Sequence, residues 1–303
     1  MNTNNPETTA AAIPAARCNA ACGSRFAAYF RLYIASNGRK LLLTAATIFA
    51  VTFIFLIFNL YTTGLARYQM MVMNPLQGDP TVDSMWSGDT DIMTLILIVT
   101  ATITGWMLFS AVSSRHGRLQ TIELPASQSE KFLTWMIIYL PLMLLACFIS
   151  FWLADLCRVA WIKAFTDFGD QAHPMSLFNL LTLSGKQNAG LMSSTSWFSV
   201  AFTYGFVLCL HASYTLGGIL FSRLSYLKTF GCLFLLMNVV SFVIYLGYKV
   251  MFGDTANLGM RFDFNDNDAT TTWLVVAISV IVSCYMYVLA YARYRELEII
   301  DRW

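Results

Sequence analysis

Hydrophobic residues along this chain occur in six long runs separated by polar segments. Each run reaches the roughly 20 residues that a helix needs to cross the hydrocarbon core of a bilayer, and none alternates like a membrane β-strand. Because backbone amides in lipid must find partners within their own segment, the runs predict helices. The predicted spans are, within a few residues, 41–61, 92–113, 132–156, 197–220, 230–250 and 271–290. The expected fold class is therefore all-α, a polytopic membrane protein with six transmembrane helices.

The composition agrees with this pattern. Of the 303 residues, 57% are hydrophobic and 12% charged, and the mean hydropathy is +0.59. An ordinary soluble domain carries about 25% charged residues, so the lipid bilayer is the expected surrounding. A net charge of +2 without a basic stripe predicts no nucleic-acid partner.

The distribution of basic residues predicts the orientation. Most of the nineteen Lys and Arg residues fall in the segments that share one side with the N-terminus. By the positive-inside rule this side is cytoplasmic, and an even number of spans returns the C-terminus to it. We therefore expect a multi-pass protein of the bacterial inner (cytoplasmic) membrane, with both termini in the cytoplasm.

The segment before the first span divides into two parts. Residues 1–24 are rich in Ala, Thr and Asn and predict a disordered cytoplasmic tail, which leaves 25–303 as the six-span transmembrane domain. Apolar residues then recur at helical spacing from Phe26 to Ile34, and the pair Asn37-Gly38 is typical of a helix end. This pattern predicts an interfacial amphipathic helix preceding the first span; a simple extension of that span is the alternative.

The connection between the second and third spans carries a local signature. Arg115 and Arg118 follow the second span, and Pro125 interrupts helix. In "SQSE", Ser127 precedes Glu130 by three residues, which is the spacing of a capping box. The third helix is therefore predicted to begin at Ser127, after a short cytoplasmic element held between two spans.

Three residues within the spans are candidates for a pathway or for packing. His211 and Asn238 are polar groups that lipid disfavours, so each either lines a substrate path or forms an interhelical hydrogen bond. Pro141 interrupts the third span and predicts a kink, either a hinge or a static bend. Asp155, near the end of that span, is expected to meet headgroup water or Arg158 three residues later.

Sequence motifs of catalysis are absent. The chain has neither a glycine-rich phosphate loop nor a His-Glu-x-x-His or Gly-x-Ser-x-Gly motif, and it has three histidines. We expect no enzyme activity, no cofactor and no metal. Any ATP hydrolysis is expected in a partner subunit.

Two stretches and the aromatic helix before the first span resemble ABC-2-type permease-like membrane proteins of the Bacteroidetes type. The stretches are "LQTIELPASQSEKFLTW" after the second span and "GGILFSRLSYLKTF" between the fourth and fifth. The resemblance in layout covers most of residues 25–300. It implies that the amphipathic helix before the first span corresponds to the elbow helix of such permeases.

The resemblance further implies a permease-like membrane subunit that couples to a separate ATP-binding ABC subunit through the cytoplasmic element 115–130, and a possible homodimer. The partner-coupling residues it implies are Arg115, Arg118, Glu123, Leu124, Pro125, Ser127, Glu130 and Lys131. The alternative is a non-transporting membrane scaffold or accessory protein with the same layout.

Overall fold

The computed structural model of this chain describes residues 15–64, 89–113, 126–165, 174–175, 181, 197–221, 224–252 and 269–300. Within these ranges the regular structure is helical, without a strand. The helices are α1 (Ala15–Asn59), α2 (Asp89–Ser113), α3 (Gln128–Ile137), α4 (Met143–Phe165), α5 (Trp197–Leu220), α6 (Ser225–Phe252) and α7 (Ala269–Ile300). Two π-helical turns, Leu60–Gly64 and Ile138–Leu142, continue α1 and join α3 to α4.

Six of the described segments are long and apolar enough to cross a membrane. They are Arg25–Gly64, Asp89–Phe109, Gln128–Phe165, Val200–Leu220, Ser225–Gly247 and Thr272–Glu296. The all-α, six-span prediction is confirmed. The first part of α1 and the last part of α7 pack together at one end of the bundle, which we call the terminal end; the other is the opposite end.

The predicted break between an interfacial helix and the first span is wrong. Helix α1 runs without interruption through Asn37 and Gly38. The Asn37 side chain turns back and donates to the Tyr33 carbonyl at 3.3 Å, a bond that fits within the helix. Tyr29 on the same stretch is buried against the protein. The amphipathic pattern therefore reflects packing within the chain, which offsets the roughly 1 kcal/mol that glycine costs a helix.

Helix α1 also begins earlier than predicted. Its first residue is Ala15, inside the segment 1–24 predicted as a disordered tail. Alanine is the strongest helix former, so the Ala-rich composition that indicated low complexity also favours helix. Residues 1–14 lie outside the described part of the chain.

The helices pack around α2 and α5. Helix α2 lies mainly against α5, α5 also contacts α7 and the start of α6, and α1 packs on α4. Close approach depends on small residues: a Cβ atom added at Gly217 would lie 1.9 Å from Thr229 Oγ1 on α6. Membrane helices use such residues to bring backbones together.

Helix α6 is the least covered helix. Beyond Thr229, its residues up to Val250 whose burial is described are exposed, except the half-buried Leu233. At its start, Ser225 Oγ accepts a 2.8 Å hydrogen bond from the Trp106 indole of α2. The helix is thus fixed to the bundle at the terminal end and presents an apolar surface along the rest of its length.

Candidate functional site

The capping box at the start of α3 is confirmed. The Glu130 amide donates to Ser127 Oγ at 3.3 Å, and the Ser127 amide donates to Glu130 Oε2 at 2.8 Å. Ser127 has the extended backbone of an N-cap, with φ −67° and ψ 155°. Two amides that the helix cannot pair internally are thereby satisfied. The box fixes the residue at which the element 115–130 becomes the third span.

The first two turns of α3 are embedded in a group of aromatic side chains at the terminal end. This aromatic cluster combines the ends of three helices and consists of Phe109 of α2, Phe132 and Trp135 of α3, and Tyr291 and Tyr294 of α7. Phe109, Trp135 and Tyr294 are almost wholly buried. The start of the third span therefore cannot move without displacing rings on its neighbours.

The rings of the aromatic cluster adopt favourable geometries. The Trp135 ring meets Phe109 edge-on, at 5.9 Å and 87°, and Tyr294 at 5.5 Å and 67°. The Phe132 and Tyr291 rings lie 5.2 Å apart. Such pairs contribute about 0.5–1.5 kcal/mol each beyond the burial of their area. The terminal ends of α2, α3 and α7 are therefore packed together through these rings.

Helix α1 also contacts the terminal ends of these helices, through Tyr33 and its neighbours. The Tyr33 hydroxyl lies 3.1 Å from the Tyr139 hydroxyl in the π-helical turn after α3. Tyr29, one turn earlier, is only 6% exposed, and Phe30 and Ile34 pack against the buried residues around Trp135. The N-terminal part of α1 is thus held against the start of the third span.

The structure covers three of the eight predicted coupling residues. Arg115, Arg118, Glu123, Leu124 and Pro125 lie outside the described residues. Ser127 is exposed and Glu130 half-buried, so the capped turn is accessible from outside. Lys131 is only 3% exposed, so its side chain is covered within the chain and does not face outward.

His211 and Pro141 lie in neighbouring parts of the interior. His211 is 1% exposed, and its Nδ1 atom is 2.7 Å from the Tyr287 hydroxyl of α7, an interhelical hydrogen bond. Pro141 lies inside the π-helical turn Ile138–Leu142 that joins α3 to α4. Within the described part of the chain, His211 Nε2 has no hydrogen-bond partner.

Asn238 lies apart from these residues. It occupies the exposed part of α6, and its amide donates to the Phe234 carbonyl one turn earlier at 2.7 Å. Within the described chain this bond is intrahelical, so Asn238 neither contacts His211 nor faces the bundle interior. The interpretation of Asn238 as a pathway residue has no support from its position.

A buried ionic cluster at the opposite end is the feature that sequence reasoning missed. Arg158 donates to both oxygens of Asp89, at 2.9 and 2.8 Å, and to Asp155. Asn59 donates to Asp89 at 3.2 Å, and the Met175 amide donates to Asp155 at 2.7 Å. These bonds join α1, α2, α4 and the segment containing Met175. All three charged side chains are at most 1% exposed.

Part of this ionic cluster was visible in the sequence. Headgroup water and Arg158, three residues later on the same helix, were the two partners expected for Asp155, and the pair with Arg158 is present. Asp89 lies before the predicted span 92–113, and its position in the first turn of α2 brings it to Arg158 only after folding. An acid at the first residue of a span, opposite a span-end arginine, is the signal that could have identified the pair.

Among the described residues, no group of three or more His, Cys, Asp or Glu side chains is arranged to hold a metal ion. No protein-family model, curated protein or solved structure matches this chain. A function is therefore inferred from the chain's own geometry and from the resemblance of its short motifs.

Proposed function

We propose that this chain is a permease-like membrane subunit of an ABC-2-type transporter, which couples to a separate ATPase through the element 115–130. The observation that supports this proposal most directly is the aromatic cluster at the terminal end. It connects the residue at which that element enters the third span to the ends of α2 and α7.

In this proposal the element 115–130 transmits force to the bundle through the start of α3. The capping box holds the element to α3 at Ser127 without a flexible joint. One turn later, Phe132 and Trp135 are packed between rings of α2 and α7. Close-packed side chains resist compression and transmit displacement. A partner that moves the element would therefore move the terminal ends of three spans together.

In this proposal the partner subunit makes and breaks all covalent bonds. An ATPase would bind and hydrolyse the nucleotide, and this chain would convert the partner's change of shape into a rearrangement of helices. Within the proposal, the exposed Ser127 and the half-buried Glu130 face the partner, whereas the buried Lys131 is held inside the chain. A homodimer and a cytoplasmic position for the terminal end belong to the same proposal.

The test is to isolate the tagged full-length chain from its native host in mild detergent and to quantify co-purifying proteins by mass spectrometry. We expect an ATPase with nucleotide-binding motifs in stoichiometric amount, and its loss in the Arg115→Glu, Arg118→Glu double variant. Lys163→Glu is the control because it reverses an exposed charge at the far end of α4.

Two results would contradict the proposal. One is recovery of the chain without any ATPase under conditions that preserve a known ABC complex. The other is full retention of the ATPase by the double variant. The first result would favour the scaffold function, and the second would place the docking surface elsewhere on the chain.

A further inference from the structure

An apolar groove lies between α1 and α2 on the outside of the bundle. Its volume is about 350 Å³. Its walls include Leu43 and Val51 of α1 and Leu95, Val99 and Ile103 of α2, and all five side chains are exposed. Because these helices are spans, the groove opens sideways at the level of the hydrocarbon core.

The groove offers no hydroxyl proton to a ligand, although four threonines line it. Thr44, Thr47 and Thr104 donate to backbone carbonyls one turn earlier, at 2.8 to 2.9 Å. Thr100 donates to Cys147 Sγ at 3.7 Å. Since each hydroxyl proton is already used and the other lining residues are apolar, the walls are suited to a hydrocarbon chain.

The length of the groove matches one leaflet of a bilayer. Its lining runs from Leu43 to Phe55 on α1 and from Leu95 to Met107 on α2. At 1.5 Å per residue each wall is about 18 Å long, and half of a hydrocarbon core is about 15 Å thick. A fully extended acyl chain of one leaflet would fit along it.

The charges at the two ends of the groove are opposite. Lys40 precedes Leu43 by three residues and Thr47 by seven, so it lies on the groove face of α1, and both Lys40 and Arg39 are exposed. Asp91 precedes Leu95 by four residues at the other end and is exposed as well. An anionic headgroup is attracted to the first end and repelled from the second.

We infer that this groove binds an anionic glycerophospholipid, with an acyl chain between α1 and α2 and its phosphate at Arg39 and Lys40. The basic residues set the head at the terminal end, and the apolar walls hold the tail. Lysine and arginine at the end of a groove between spans are suitable partners for acidic headgroups. The inference is independent of an ATPase partner.

The experiment is native mass spectrometry of the full-length protein in detergent, titrated with phosphatidylglycerol and with phosphatidylcholine of identical acyl chains. We expect one phosphatidylglycerol molecule to be bound at least about tenfold more tightly than phosphatidylcholine. The Arg39→Glu, Lys40→Glu double variant should abolish this preference. Lys163→Glu, which reverses an exposed charge at the opposite end, should preserve it.

A second pair of variants tests the tail site. Thr47→Trp places a large ring in the groove and should remove the bound lipid, whereas Ile54→Trp, at a 65% exposed position of α1 outside the groove, should not. Val99→Trp fills the groove from α2 and replaces Thr47→Trp if that variant does not elute as a single species. Equal retention of both lipids, or retention in the filled variants, would overturn the inference.

Discussion

Single side chains at the two ends of the bundle have different tasks. At the terminal end, Ser127 and Glu130 satisfy backbone amides and define where the third span begins. At the opposite end, Asp89, Asp155 and Arg158 satisfy one another in the buried interior. The first arrangement depends on neighbours in sequence and was predicted. The second depends on three-dimensional proximity and was predicted only for the pair within α4.

Glu130→Ala should destabilise the start of α3. It removes the side chain that accepts from the Ser127 amide, and the expected loss is about 1 kcal/mol in the free energy of unfolding. Unfolding in mixed micelles measures it. Glu296→Ala is the control, because its exposed ion pair with Arg293 contributes little. Equal stabilities of the two variants would contradict the importance of the cap.

Arg158→Met should be far more damaging. It leaves Asp89 and Asp155 buried without their shared guanidinium, and breaking a buried pair costs about 3–5 kcal/mol. Adding Asp89→Asn removes one of the two carboxylates and should restore part of the loss. The same unfolding measurement applies, with Arg293→Met as the exposed control. A double variant no more stable than Arg158→Met would show that charge is not the cause.

At the scale of helices, hydrophobic patterning determined how much could be foreseen. The predicted span 197–220 coincides with α5, and the spans 92–113, 230–250 and 271–290 lie within α2, α6 and α7. The spans 41–61 and 132–156 lie within the continuous helical segments Arg25–Gly64 and Gln128–Phe165, each of which includes a π-helical turn. The apolar run marks the part that meets lipid, whereas the helix continues wherever packing supports it. The local propensity of Asn37-Gly38 therefore indicated a helix end that is not present. The burial of Tyr29 and the contact of Tyr33 with the π-helical turn after α3 maintain the helix through this pair.

The aromatic cluster was also beyond sequence reasoning. Aromatic residues near span ends are common at membrane interfaces, so nothing in the sequence distinguished Phe109, Trp135 and Tyr294 from a lipid-facing belt. Their contact becomes visible only when α2, α3 and α7 are placed side by side. For His211 the sequence left two alternatives, a substrate path or an interhelical hydrogen bond. The hydrogen bond is present, and its partner, Tyr287, could not be named beforehand.

Gly105→Ala should disturb the packing of α2 on α5. The added Cβ would lie 2.5 Å from the His211 backbone carbonyl oxygen, which no side-chain rotation relieves. We expect a loss of about 1–3 kcal/mol, measured by unfolding in mixed micelles. Gly231→Ala is the matched control, since nothing lies within 4 Å of its Cβ position. A stabilised Gly105→Ala variant would contradict the described contact.

At the scale of the whole molecule, the two ends of the bundle differ in chemistry. The terminal end combines a capped helix start with interlocking rings, and the opposite end is joined by a buried ionic cluster. Displacement applied at the terminal end would reach α2, α3 and α7 first. The ionic cluster would hold α1, α2 and α4 together at the opposite end, so the helices would pivot about this cluster.

The proposed orientation predicts that both termini are cytoplasmic. Fusions of a fluorescent protein that folds only in the cytoplasm should be bright at either terminus. Fusions of alkaline phosphatase, active only outside, should be inactive at both and active when inserted after residue 253. Active phosphatase at either terminus would reverse the orientation and exclude a cytoplasmic ATPase at the terminal end.

The most direct test of the central claim is hydrogen–deuterium exchange of the complex with its ATPase, with and without trapped ATP. If the aromatic cluster transmits force, nucleotide should change amide exchange at the start of α3 and at the end of α7 together, while the ionic end of α4 stays unchanged. A change confined to the element 115–130, with α7 unaffected, would contradict the account.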